Sequence, residues 1–151
     1  IGSLTTMSEK SVSTVIIDAP LADVQAALFE IGAYPEWLSI IKKADVIERD
    51  GENRVLKAKL AIDAGMMKDR VTLDYDWSKS PTEISFALDD ADLLTEMSGT
   101  YEITDNGDDT TTVKYQLTVA LSMPVPAMMR QKAERATIDL ALSQLKTKLE
   151  G

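Results

Sequence analysis

Apolar and polar residues alternate with two different periods along this chain, and each change of period marks where one element gives way to the next. From Ser11, the residues Val12, Val15, Ile16 and Ile17 make a short β-branched run closed by Asp18-Ala19-Pro20. That pattern predicts a strand leading into a helix start at Asp18 or Pro20. Leu21, Val24, Leu28 and Ile31 then recur at helical spacing until Gly32, which predicts the stop. In Tyr34-Pro35-Glu36-Trp37-Leu38, Pro35 suits the first turn of a second short helix.

The period then drops to two. Leu56, Ala58, Leu60 and Ile62 alternate with Lys57 and Lys59, and Val71, Leu73, Tyr75 and Trp77 alternate with Thr72, Asp74 and Asp76. Ile84, Phe86 and Leu88 repeat the pattern, as do Met97, Gly99, Tyr101 and Ile103, and then Val113, Tyr115, Leu117, Val119 and Leu121. Each run predicts a strand with one wet and one dry face. Asp50-Gly51-Glu52-Asn53, Ser80-Pro81 and Asn106-Gly107-Asp108-Asp109 carry the residues of tight turns, so sequential strands pair antiparallel. Pro124 and Pro126 end the last strand, and a single helix is predicted from Ala127 to Leu149. Its apolar stripe is Ile138, Leu142, Leu145 and Leu149, with Glu134 assigned to the polar side. About 24 residues of helix would measure ~36 Å.

The order is therefore strand, two short helices, about six antiparallel strands and a long helix, an α+β layout. A sheet with one dry face must bury it, and the long helix is the large apolar partner left in the chain. The sheet is expected to curve around it.

Composition narrows the chemistry. The 151 residues contain no cysteine and no histidine, which removes thiol nucleophiles, thiolate metal sites, the commonest general base and the Ser-His-Asp triad. With 16 basic against 25 acidic residues the net charge is −9, which opposes binding to nucleic-acid phosphates. No apolar run approaches the ~18 residues of a membrane span, and no signal peptide is evident, so a cytoplasmic protein without stable membrane insertion is expected. Residues 1–8 read as a tag remnant and disordered N-terminus, and residues 9–151 as one domain.

Three stretches carry a family resemblance: Ile17-Asp18-Ala19-Pro20-Leu21-Ala22-Asp23-Val24, Tyr34-Pro35-Glu36-Trp37 and Met123-Pro124-Val125-Pro126. With the element order, they make the chain from Glu9 to Leu149 resemble the START-like helix-grip (SRPBCC) superfamily, in its polyketide cyclase/dehydrase-like branch. The resemblance implies a curved antiparallel sheet of six to seven strands gripping the C-terminal helix, with an internal cavity for an apolar or amphipathic ligand. It implies no single activity, because the superfamily includes carriers, aromatic polyketide cyclases, quinone-binding proteins and chaperone cofactors.

Candidate ligand-binding residues follow from the dry strand faces. Tyr75, Trp77, Tyr101 and Tyr115 share that phase, as do Phe86 and Met97, and a buried phenol or indole needs a hydrogen-bond partner in the protein or on a ligand. Trp37 either lines the cavity mouth or packs on the sheet, packing being the commoner use. Met66-Met67 in a turn and Met128-Met129 at the start of the long helix are placed by the resemblance at the cavity entrance, where thioethers adapt to varied guests.

Asp69 shares the phase of Val71 and would be the least unlikely general base, although a strand-end position favours exposure. Asp89-Asp90 with Asp92, and Asp105 with Asp108-Asp109, lack calcium-loop spacing and read as solvated turns. Arg130 and Lys132 could pair with a ligand carboxylate, exposed surface charge being the usual outcome. No cofactor, metal or catalytic residue is assigned. The leading reading is binding or transport of a small hydrophobic molecule such as a lipid, quinone or polyketide. A cyclase or dehydratase acting by cavity shape and tyrosine hydrogen bonds, and a protein-interaction module, are the alternatives.

Overall fold

The computed structural model describes residues 11–65 and 68–151. Strand β1 (Ser11–Ile17) leads into helix α1 (Leu21–Phe29) and a 3-10 helix (Ile31–Glu36). Six strands follow: β2 (Ile41–Arg49), β3 (Val55–Asp63), β4 (Lys68–Asp76), β5 (Glu83–Ala91), β6 (Leu94–Asp105) and β7 (Thr111–Leu121). Helix α2 (Ala127–Glu150) closes the chain. The sheet order is β1-β7-β6-β5-β4-β3-β2, and each neighbouring pair is antiparallel. Seven strands with one long C-terminal helix and two short helical segments after β1 are the α+β, START-like architecture expected. The reading of residues 1–8 as a tag remnant lies outside the described residues.

Helix α2 lies against β1 and β7, with Ile138, Ala141, Leu142 and Leu145 buried on the predicted stripe. Its polar side chains lace it to β1, the open edge of the sheet. Lys146 Nζ donates to Ile16 O at 2.7 Å, Arg135 donates to Val12 O at 3.1 Å, and Asp18 N donates to Glu150 at 2.7 Å. These bonds satisfy edge groups that would otherwise be open to pairing with another chain.

Two boundaries differ from the sequence reading. Helix α1 ends at Phe29, and Gly32 sits inside the 3-10 helix that follows, where a Cβ would meet Val46 Cγ2 at 3.3 Å. This glycine therefore lets the 3-10 helix approach β2 rather than serving as a stop. Pro35 stands near the end of that segment rather than in its first turn, and Trp37 and Leu38 each donate their N–H to Tyr34 O to close it.

Strand β2 has no clean alternation in the sequence. Its register with β3 shifts between Ile41 and Lys43, between Val46 and Glu48, and again before Arg49. Each irregularity changes which face the next side chain takes, and such breaks are common on edge strands.

Candidate functional site

The inner face of the sheet brings the predicted aromatic residues together by strand register. Tyr75 on β4 lies opposite Phe86 on β5, and Phe86 lies opposite Gly99 on β6. The Tyr75 and Phe86 rings are 6.0 Å apart, and the Phe86 ring occupies the space over Gly99, where a Cβ would come within 2.4 Å of Cζ. One row along, Tyr101 on β6 faces Tyr115 on β7, and their rings stack 4.0 Å apart with planes 11° from parallel. Tyr34, supplied by the 3-10 helix, is buried as well.

All four tyrosines of the chain thus meet in the interior, close enough to perturb one another electrostatically. Burial raises the pKa of Tyr34, Tyr75, Tyr101 and Tyr115, and neighbouring phenols raise those of Tyr34, Tyr75 and Tyr101 further. These side chains remain neutral hydrogen-bond donors in a poorly hydrated space. The Tyr34 hydroxyl donates to Leu28 O at 2.6 Å. Hydrogen bonding between the Tyr101 and Tyr115 hydroxyls raises the pKa of the first and lowers that of the second.

The two tryptophans differ. Trp77 donates Nε1–H to Val55 O at 2.7 Å, meets Phe29 edge-on at 5.1 Å, and lies beneath the Arg54 guanidinium at 5.7 Å. Its polar atom and its ring are both engaged by the protein. Trp37 exposes 9% of its surface, packs against Tyr34 with ring centroids 5.1 Å apart, and its Nε1–H has no hydrogen-bond partner. Among the described residues it is the one buried side-chain polar atom left unpaired. An unmet donor of this kind costs about 1–3 kcal/mol.

The predicted methionine rim is only partly visible. Met66 and Met67 lie outside the described residues. Met97 is half-buried against the core, whereas Met128 is 80% and Met129 56% exposed at the start of α2. Met123 and Leu93 are also exposed, and Leu94 pairs with Leu121, so the β5–β6 turn and the end of β7 share one end of the sheet. No residue from Ala127 to Ala133 is fully buried.

The carboxylates depart furthest from expectation. Asp69 is buried, not edge-exposed, because it accepts the backbone N–H groups of Arg70, Asp92, Leu93 and Leu94 and so holds the β5–β6 turn together. That network leaves it poorly suited to take a substrate proton. Glu134, assigned to the polar side of α2, is 2% exposed. It accepts Ser11 Oγ–H at 2.7 Å, Val119 N–H at 2.7 Å and Arg130 Nη1–H at 3.2 Å.

The sequence signal for Glu134 was its place one turn before Ile138, on the apolar stripe itself. Among the described residues, no group of three acidic side chains could hold a metal ion. Asp105 and Asp108 instead accept turn N–H groups of Gly107 and Thr110, and Asp89 and Asp92 pair with Lys57 and Arg70. A separate open groove of about 320 Å³, lined by Leu21, Thr82, Glu83, Glu102, Ile103, Thr104 and Asp105, contains none of the predicted binding residues. No helix among the described residues is long and apolar enough to cross a membrane.

Comparison with known proteins gives one family match and many structural ones. The family described as polyketide cyclase / dehydrase and lipid transport matches residues 8–150. A START superfamily protein from Mycobacterium smegmatis is similar at a TM-score of 0.88 and 21% identity, covering 93% of this chain and 97% of its own. A protein from Thermus thermophilus is similar at 0.80 and 18%, covering 94% and 97%. The Zhui aromatase/cyclase from a Streptomyces species is similar at 0.74 and 14%, covering 94% and 93%. At these identities the structural likeness establishes the fold alone. No curated protein matches the chain by sequence.

Proposed function

The chain belongs to the polyketide cyclase/dehydrase and lipid transport family, and we propose that it is a cytoplasmic, non-catalytic protein that holds a small hydrophobic or amphipathic molecule between the inner face of the sheet and α2. The observation that carries this reading is the convergence of four neutral phenols in the interior, of which Tyr34 alone donates to the backbone among the described residues. Few polar groups in an apolar wall are what fix the orientation of a small ligand. Tyr75, Phe86, Met97, Tyr101 and Tyr115 form the wall in this proposal, Trp37 borders it, and Met128 and Met129 form the rim. Trp77 is left out because Val55, Phe29 and Arg54 already occupy it.

The absence of histidine and cysteine, together with the engagement of Asp69 and Glu134, supports binding over cyclisation. A cyclase would need a free proton acceptor or would have to work by positioning alone. The test is to denature protein purified from its native host and analyse the extract by mass spectrometry. A hydrophobic molecule released at stoichiometric amount, and chemically unchanged on incubation with fresh protein, is the expected result. Conversion of that molecule to a product would overturn the non-catalytic reading. An empty extract, combined with no binding of naphthalene by the purified protein, would overturn binding itself.

A further inference from the structure

We infer that the interior site selects a ligand bearing a neutral hydrogen-bond acceptor, such as a ketone or quinone carbonyl, received by the Trp37 Nε1–H, and that it discriminates against carboxylate and phosphate groups. This rests on the binding role proposed above and adds the chemistry of the ligand's polar end. The first observation is the unpaired indole: Trp37 is nine-tenths buried and its Nε1–H has no partner. Its ring lies 5.1 Å from that of Tyr34, which couples electrostatically to Tyr75 and Tyr115. The ring that carries the orphan donor therefore packs against the phenol cluster. A carbonyl oxygen that completes this bond removes an existing penalty, whereas in most binding sites a new bond only replaces one to water.

The second observation is the sign of the buried charge. Among the described residues, the buried polar and charged side chains are Ser11, Asp69, Thr72, Thr111 and Glu134, with no lysine or arginine among them. Phenols and an indole donate without carrying positive charge. An anionic head placed there would lose its hydration and gain no counter-charge. A neutral acceptor loses little hydration and gains a donor that is already desolvated.

The probes are naphthalene, 2-acetylnaphthalene and 2-naphthoate, which share one ring system and differ in the polar group. Binding is followed by two-dimensional NMR of nitrogen-labelled protein, whose two tryptophans give separate indole signals. Trp77 serves as the internal reference because its N–H is already bonded to Val55. The ketone is expected to bind roughly fivefold to tenfold more tightly than naphthalene and to move the Trp37 indole proton downfield. Naphthoate is expected to bind more weakly than either. Trp37→Phe keeps an aromatic ring and breaks no hydrogen bond of the protein's own, so it should fold and bind the ketone no more tightly than it binds naphthalene.

Equal affinity for ketone and naphthalene with an unmoved Trp37 signal would overturn the inference while leaving the binding role standing. Naphthoate binding as tightly as the ketone would overturn it as well. Failure of all three probes to bind would overturn the binding role on which it rests.

Discussion

Glu134 offers the sharpest test of how α2 is fixed to the sheet. Val119, two residues along β7 from the Leu117 that pairs with Ser11, donates its N–H to the Glu134 carboxylate. The same carboxylate accepts Ser11 Oγ–H through Oε1 and Arg130 through Oε2. Glu134→Ala removes all three acceptor contacts, leaves Val119 N–H and the Ser11 hydroxyl unmet, and opens a gap under α2. Breaking a buried charged partner costs about 3–5 kcal/mol, which for a chain of this size lowers Tm by on the order of 10 °C.

Glu134→Gln behaves differently. Its carbonyl can take the Oε2 place and keep Val119, while its amide takes the Oε1 place and donates to Ser11 Oγ, which reverses its hydroxyl. The loss is then the charge-assisted part alone, about 1 kcal/mol. Adding Ser11→Ala to Glu134→Gln strands the amide, so the double-mutant cycle should show about 1 kcal/mol of coupling. Urea unfolding with circular dichroism reads all three values. If Ala and Gln at this position cost the same, or if both cost less than about 1 kcal/mol, the anchoring role assigned to the carboxylate is wrong.

Gly99→Ala places a Cβ 2.4 Å from Phe86 Cζ and 3.0 Å from the Gln116 carbonyl oxygen, so it should destabilise by about 1–3 kcal/mol, with partial recovery on adding Phe86→Leu; no loss in thermal unfolding would contradict the packing described. Because burial raises all four tyrosines above the ordinary 10.0, the fold retains phenolic protons that the unfolded chain releases. Their contribution to stability is complete below that value and falls as pH rises beyond it, so phenolate absorbance should appear together with loss of the fold. Phenolate forming near pH 10 while circular dichroism stays native would refute the burial.

The fold was legible where a single period persisted. Strands β3 through β7 announce themselves because Leu60, Leu73, Tyr75, Phe86, Tyr101 and Tyr115 keep a two-residue phase with polar neighbours between them. The turns at Asp50-Gly51 and Asn106-Gly107 are equally plain. Strand β2 was not assigned because Lys42-Lys43 and the register shifts around Val46 and Glu48 break its alternation. An edge strand has one neighbour and tolerates such breaks, so its sequence carries less of the pattern.

The candidate site was legible as a set of side chains facing one way, and illegible in what each does there. Periodicity reports which face a residue shares and says nothing about where its polar atoms end. Trp37 and Trp77 read alike as aromatic candidates, yet one donates to Val55 and the other to nothing. Asp69 and Glu134 were assigned to exposed or polar positions because an isolated carboxylate is costly to bury. That rule has an exception wherever the surrounding backbone supplies the donors. Asp69 meets the N–H of its neighbour Arg70 and three N–H groups of the β5–β6 turn, and Glu134 meets the N–H of Val119 on β7. In both, donors come from backbone outside the acid's own element, so the local pattern could set Glu134 on the apolar stripe without revealing what satisfies it there. The same nonlocality is why an unpaired donor such as the Trp37 indole is informative: where the fold satisfies buried acids from remote backbone, the one buried side-chain donor left open among the described residues points to an acceptor from outside the chain.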